Sequence, residues 1–173
     1  LRGNHAYVLW AIEVIEKYIR ENLIIDIPEY IPHQLLETQA GAFVSLHTEN
    51  NTLRGCIGTI LPTQKNLALE IRENAIAAAT RDPRFNALSP DELAYVTVSV
   101  DVLSMPVSCE EVGELDPKRY GVIVESGYRR GLLLPDLDGV DTVEMQLNIA
   151  RRKAGIAADE QIKIYQFEVN RYH

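Results

Sequence analysis

Tyr95-Val96-Thr97-Val98-Ser99-Val100-Asp101-Val102 alternates without a break. Successive side chains of a strand leave opposite faces, so the four valines point one way and Thr97, Ser99 and Asp101 the other. That is a half-buried strand, the kind found in antiparallel sheets covered on one side. Just upstream, Ser89-Pro90-Asp91-Glu92 is a capping box with proline at the first helical position, so a short helix starts there. Further upstream a long helix spans 65–80, with Leu67, Leu69, Ile71 and the alanine-rich 75–79 run. Strands precede it at 42–48 and 52–60. The chain begins with a helix over 5–22, capped by Asn4, with Val8, Ala11, Ile12, Ile15, Tyr18 and Ile19 on one face. Pro28 and Pro32 keep the connector at 25–32 extended. Downstream come strands at 120–124 and 131–134, a helix capped at Asp141-Thr142-Val143-Glu144 that ends near Gly155, and a closing strand at 162–169. Strands and helices do not alternate regularly. The fold class is α+β: an antiparallel sheet with flanking helices in a single domain, 1–173.

At 173 residues, with 46% hydrophobic and 24% charged content, the chain can bury a full core without staples. Its net charge of −8 argues against a sequence-independent grip on nucleic acid or an anionic membrane. Two cysteines, Cys56 and Cys109, make neither a disulfide framework nor a zinc site, and reduced thiols in the cytoplasm are the expectation. No apolar run approaches the ~20 residues needed to span a bilayer. Phosphate-loop, dinucleotide-glycine and serine-elbow patterns are absent. The four histidines lack metal spacing, so no cofactor is expected in this chain.

Leu53-Arg54-Gly55-Cys56-Ile57-Gly58-Thr59 stands out chemically. Glycine in a strand marks a bulge or a close approach of a ligand or another backbone. Arg54 and Cys56, two apart, share a face, and a guanidinium beside a thiol favours the thiolate. Asn50-Asn51 suits a two-residue hairpin turn. That turn pairs His47 with Arg54 and Ser45 with Cys56, gathers these four side chains on one face and turns Gly55 to the core. Functionally this is a nucleophile, Cys56, with an imidazole, His47, nearby. The bland alternative is an inert buried thiol, a glycine pair for helix packing and a surface His–Arg pair. Two further segments are unusual. Arg81-Asp82-Pro83-Arg84-Phe85 forms either an anion-binding turn using Arg84 or a helix exit held by ion pairs. Gly127-Tyr128-Arg129-Arg130-Gly131-Leu132-Leu133-Leu134-Pro135 is a hairpin whose arginines, Arg129 among them, either reach a ligand or stay solvated.

Leu-Arg-Gly-Cys-Ile-Gly at 53–58, Asp-Pro-Arg-Phe at 82–85 and Gly-Leu-Leu-Leu-Pro at 131–135, in this order, resemble the AMMECR-one family across nearly the whole chain. The resemblance implies two unequal lobes around a cleft and a site spanning Arg54 to Thr59, which brings Gly55, Gly58 and Thr59 into the ligand-binding set. It also implies protein A of the AmmeMemoRadiSam set. Such a protein acts on a small molecule or a modified residue together with a Memo-like domain, fused or separate, and a radical-SAM protein. A chain that starts without methionine fits the carboxyl-terminal part of such a fusion. The alternative is a non-catalytic module that docks those partners. Some members carry a cysteine before a late Lys-Ala-Gly; here Ala150-Arg151-Arg152 precede Lys153-Ala154-Gly155, so a mechanism that needs a second thiol does not transfer.

Overall fold

The structure, a computed structural model, describes residues 1–173. The chain divides into two compact units, Leu1–Leu103 with Asn170–His173, and Ser104–Val169.

In the first unit, α1 (Ala6–Glu21) buries Val8, Trp10, Ala11, Val14 and Ile15. Its cap is His5, whose Nδ1 accepts the Tyr7 N–H at 3.2 Å, rather than the expected Asn4. The N–H groups of Asn4 and His5 both donate to the His173 carbonyl, which holds the chain extended until the helix begins. α2 (His33–Glu37) was not foreseen, since five residues are too few to show a helical period. β1 (Ala42–His47) and β2 (Leu53–Gly58) form a hairpin, and α3 (Leu67–Thr80) starts at Asn66, whose side chain accepts the Leu69 N–H. The expected short helix forms over Pro90–Tyr95 as a 3₁₀ helix, with its Ser89–Glu92 capping box, and leads into β3 (Thr97–Leu103). The strands lie antiparallel in the order β2-β1-β3. Val44, Leu46, Val98 and Val100 are fully buried in one core with residues of α1 and α3. The alternation at 95–102 holds, but the polar face is not open: Ser99 and Asp101 are only 8% and 3% exposed.

The second unit contains β4 (Val107–Cys109), which sequence reading missed, β5 (Tyr120–Ser126), β6 (Arg129–Leu133), α4 (Val143–Ala154) and β7 (Lys163–Tyr172). β7 runs three residues beyond the expected end, and its last residues belong to the first unit. β5 pairs antiparallel with β6 and β7, and β4 pairs antiparallel with β7. The β5–β6 loop has two residues, with Gly127 in the left-handed region at φ 62, as a tight hairpin requires. α4 is capped by Thr142 and ends at Gly155, as its sequence signals indicate. Val122, Val124, Leu133, Leu147 and Ala150 form this unit's core. No helix is long and apolar enough to cross a membrane.

One close approach fixes α3 against β2. A Cβ on Gly55 would fall well inside contact distance of the Ala78 carbonyl oxygen, a backbone atom that cannot swing aside. Gly55→Ala is therefore expected to overpack and cost ~1–3 kcal/mol, lowering Tm by roughly 2–12 °C. Gly113→Ala, where a Cβ meets nothing within 4 Å, is the matched control and should leave Tm near wild type in a calorimetric scan.

Candidate functional site

The β1–β2 hairpin departs from the expected turn, yet keeps the expected pairing at Cys56. The Asn51 N–H donates to the Thr48 carbonyl, the Thr48 N–H donates to the Thr52 carbonyl, and Asn51 has φ 59. This is a three-residue loop, a tight turn followed by a left-handed residue, one residue longer than the Asn50-Asn51 turn. It pairs His47 with Leu53. Arg54 is then a bulge residue without a partner, and Leu46 pairs with Gly55 and Ser45 with Cys56. The bulge cancels the shift introduced by the loop.

Ser45 and Cys56 are in contact, with Ser45 Oγ 3.2 Å from Cys56 Sγ. Ser45 also pairs with Ser99 on β3. Cys56, Ser45 and Ser99 therefore form a row across three strands, on the face opposite the Val44–Leu46 core. His47 is not joined to Arg54. It sits two residues along β1 from Ser45, about 7 Å at strand rise, and lines a pocket of ≈ 380 Å³ with Thr97, Ser99, Arg171 and His173. Arg171 is aimed by a two-pronged ion pair, Nε and Nη2 donating to the Asp101 carboxylate at 2.7 and 3.0 Å.

Several expected ligand-binding residues are engaged in holding the fold. Arg54 donates to both Glu92 oxygens and to the Asn86 carbonyl, and its guanidinium stands 6.0 Å from the Phe85 ring. Gly55 admits α3, and Gly58 seats the Phe43 ring opposite it. The Thr59 hydroxyl donates to Glu70 and accepts from Asn74, two buried side chains of α3. Arg129 lies in the second unit, paired with Glu160 and donating to the Gly155 carbonyl. These residues were read as ligand contacts because a glycine or an arginine in a strand looks the same whether it meets a ligand or a neighbouring element. The alternation puts Ser99 on the polar face without marking it as a site residue. Arg171 and His173 carried no signal, because the length of β7 was not legible.

Asp82 explains why the second motif accompanies the first. Its carboxylate, 4% exposed, accepts the Cys56 N–H at 3.0 Å and the Arg84 side-chain and backbone N–H groups at 2.8–3.1 Å. Arg84 also makes a long 3.4 Å contact to the Cys56 carbonyl. The pair supplies an acceptor and a donor to the outer edge of β2, as a neighbouring strand would, and so seals that edge. The segment is the ion-paired helix exit, not an open anion-binding turn. The Cys56 N–H is thereby consumed and cannot serve as an oxyanion donor for its own thiol. Arg84 hydrogen bonds hold the Asp82 carboxyl far below the usual carboxylate range, and the Arg54 fork lowers that of Glu92. Cys109 is a free, buried thiol whose burial raises its pKa. Cys56 is free and partly accessible. No three His, Cys, Asp or Glu side chains converge as a metal site.

Asp82→Ala leaves the Cys56 N–H unpaired and is expected to cost ~1–3 kcal/mol at neutral pH. The folded pKa of Asp82 lies below the unfolded value of 3.8, so its stabilisation is fully present above that value. It is lost as pH falls through the folded pKa. Urea melts of both proteins should therefore differ most at neutral pH and converge in strong acid. A gap that widens on acidification would contradict this account.

Comparison with known proteins identifies the family of this chain. The AMMECR1 family model matches residues 8–172. A protein of Thermotoga maritima is 60% identical over 171 residues, covering 98% of both chains. Protein CA_C1420 of Clostridium acetobutylicum is 47% identical over 167 residues; the match covers 96% of this chain and 35% of that protein. The solved structure of the uncharacterized protein PH0010 from Pyrococcus horikoshii superposes with a TM-score of 0.84 at 32% identity, covering 95% of this chain and 88% of that one. The chain belongs to the AMMECR1 family.

Proposed function

We propose that this AMMECR1 domain binds a small polar molecule, or a modified residue of a partner, on the polar face of the β1–β3 sheet, with Cys56 at one end of the site. The observation that carries this is the Cys56–Ser45–Ser99 row ending at the pocket of His47, Thr97, Ser99, Arg171 and His173. Two strand spacings separate Cys56 from Ser99, about 10 Å. A ligand seated against Arg171 and the two imidazoles meets Ser99, and from there the buried Ser45 is the one side chain between it and the thiol. Ser45 supplies a hydrogen bond at sulfur and Arg171 supplies a fixed cation. Neither Cys56 nor His47 is arranged for acyl transfer, since the Cys56 N–H is taken and His47 is a step away. Chemistry at the thiol therefore draws on groups that a partner brings. We assign that part to a Memo-like domain and a radical-SAM protein. A relative in which this domain is about a third of the chain supports a domain that works joined to others.

Native mass spectrometry of the chain taken from its native host tests the reading. The wild type is expected to carry a bound small molecule, and Thr97→Tyr, which fills the pocket from a partly exposed wall position, should lower its occupancy at least about tenfold. Tm should hardly move, as is usual for a surface change within ~0.5 kcal/mol. Retention of the same molecule by Thr97→Tyr would place the site elsewhere. Iodoacetamide followed by peptide mapping gives a second readout. Cys56 should label at least about tenfold faster than the buried Cys109 and slow when the ligand is bound. Equal rates at the two thiols would remove Cys56 from the site.

A further inference from the structure

The hairpin at Gly127–Pro135 takes no part in that pocket, and its outer strand has a free edge. β6 pairs only with β5. Its register runs from Ser126 opposite Arg129 to Val122 opposite Leu133, across a two-residue loop. In such a hairpin the residues flanking the loop exchange both hydrogen bonds, and every second pair repeats this. Arg129, Gly131 and Leu133 therefore bond inward to β5, while the backbone groups of Arg130 and Leu132 point outward. Of those outward groups the Leu132 carbonyl accepts from Lys153 Nζ at 2.6 Å. The Arg130 N–H, the Arg130 carbonyl and the Leu132 N–H have no partner.

The chain's other edges are managed differently. The β2 edge is sealed at Cys56 by Asp82 and Arg84. β4 is three residues long and follows Pro106, which has no N–H to offer. β6 is longer, and the approach of Ala150 to Gly131 holds it in place. Its surroundings are basic in a chain of net charge −8: Arg130 and Lys153 are both exposed. Arg130 is shared with Glu125. Tyr128, 96% exposed, stands at the hairpin tip.

We propose that β6 is a docking strand whose outer edge takes an extended, acidic segment of a partner polypeptide as an added strand. Backbone pairing to Arg130 and to the Leu132 N–H supplies affinity, the flanking cations select acidic side chains, and Tyr128 offers an aromatic anchor. The proposal is independent of the ligand pocket on the first unit.

The test uses the full chain and a short synthetic peptide of alternating glutamate and valine, with the lysine–valine peptide as control. Hydrogen exchange followed by NMR should show the Arg130 and Leu132 amides slowed by the acidic peptide and unaffected by the basic one. Lys153→Glu should weaken binding at least tenfold. Leu132→Pro removes the outward N–H without touching the β5 ladder and should abolish binding while the far-ultraviolet spectrum is kept. Absent binding, equal binding of the basic peptide, protection elsewhere, or undiminished binding by Leu132→Pro would overturn the proposal. So would sedimentation showing that copies of this chain pair through β6 and exclude the peptide.

Discussion

Everything around the Cys56 motif follows from how close α3 lies to β2. The Ala78 carbonyl reaches the position a side chain would occupy at residue 55, so only glycine fits there without displacement. With the helix at that distance, its exit brings Asp82 onto the Cys56 N–H and Arg84 toward the Cys56 carbonyl. Its inner side brings Glu70 and Asn74 onto Thr59. Arg54, displaced by the bulge, turns to Glu92 and Phe85. Backbone spacing thus determines which polar groups of the motif are consumed by the fold and which are left for a ligand.

The consequence is a division of labour within one short motif. Gly55, Gly58, Thr59 and Arg54 serve packing and contacts to α3 and Glu92, whereas Cys56 presents its side chain to the polar face with Ser45 and Ser99. The same split explains the companion segment at 82–85. Its acid and its base complete the edge of β2, which would otherwise leave a partly buried N–H unpaired at a cost of ~1–3 kcal/mol.

The α+β class and most elements could be read from the chain because alternation and caps are local signals. Val98 and Val100 face the core as their spacing requires, and Thr142 and Gly155 bracket α4. The Ser45–Cys56 pairing was also readable, but the Asn50-Asn51 turn behind it was not the turn that forms. A one-residue longer loop and a one-residue bulge offset each other, and sequence spacing cannot see either when both are present. Whether a strand glycine meets a ligand or a helix depends on a partner far along the chain, so Gly55 and Gly58 looked like ligand contacts. Arg171 and His173 were invisible for the same reason, since their place on the pocket depends on how far β7 continues.

The central claim is that the functional surface is the polar face carrying Cys56, Ser45 and Ser99, not the cluster of Arg54, Glu92 and Phe85. The most direct measurement is a crystal structure of the chain isolated from its native host with its ligand retained. The account predicts ligand density against Ser99, His47 and Arg171, extending toward the Cys56 sulfur. Density seated instead between Arg54, Glu92 and Phe85, with the polar face empty, would contradict it.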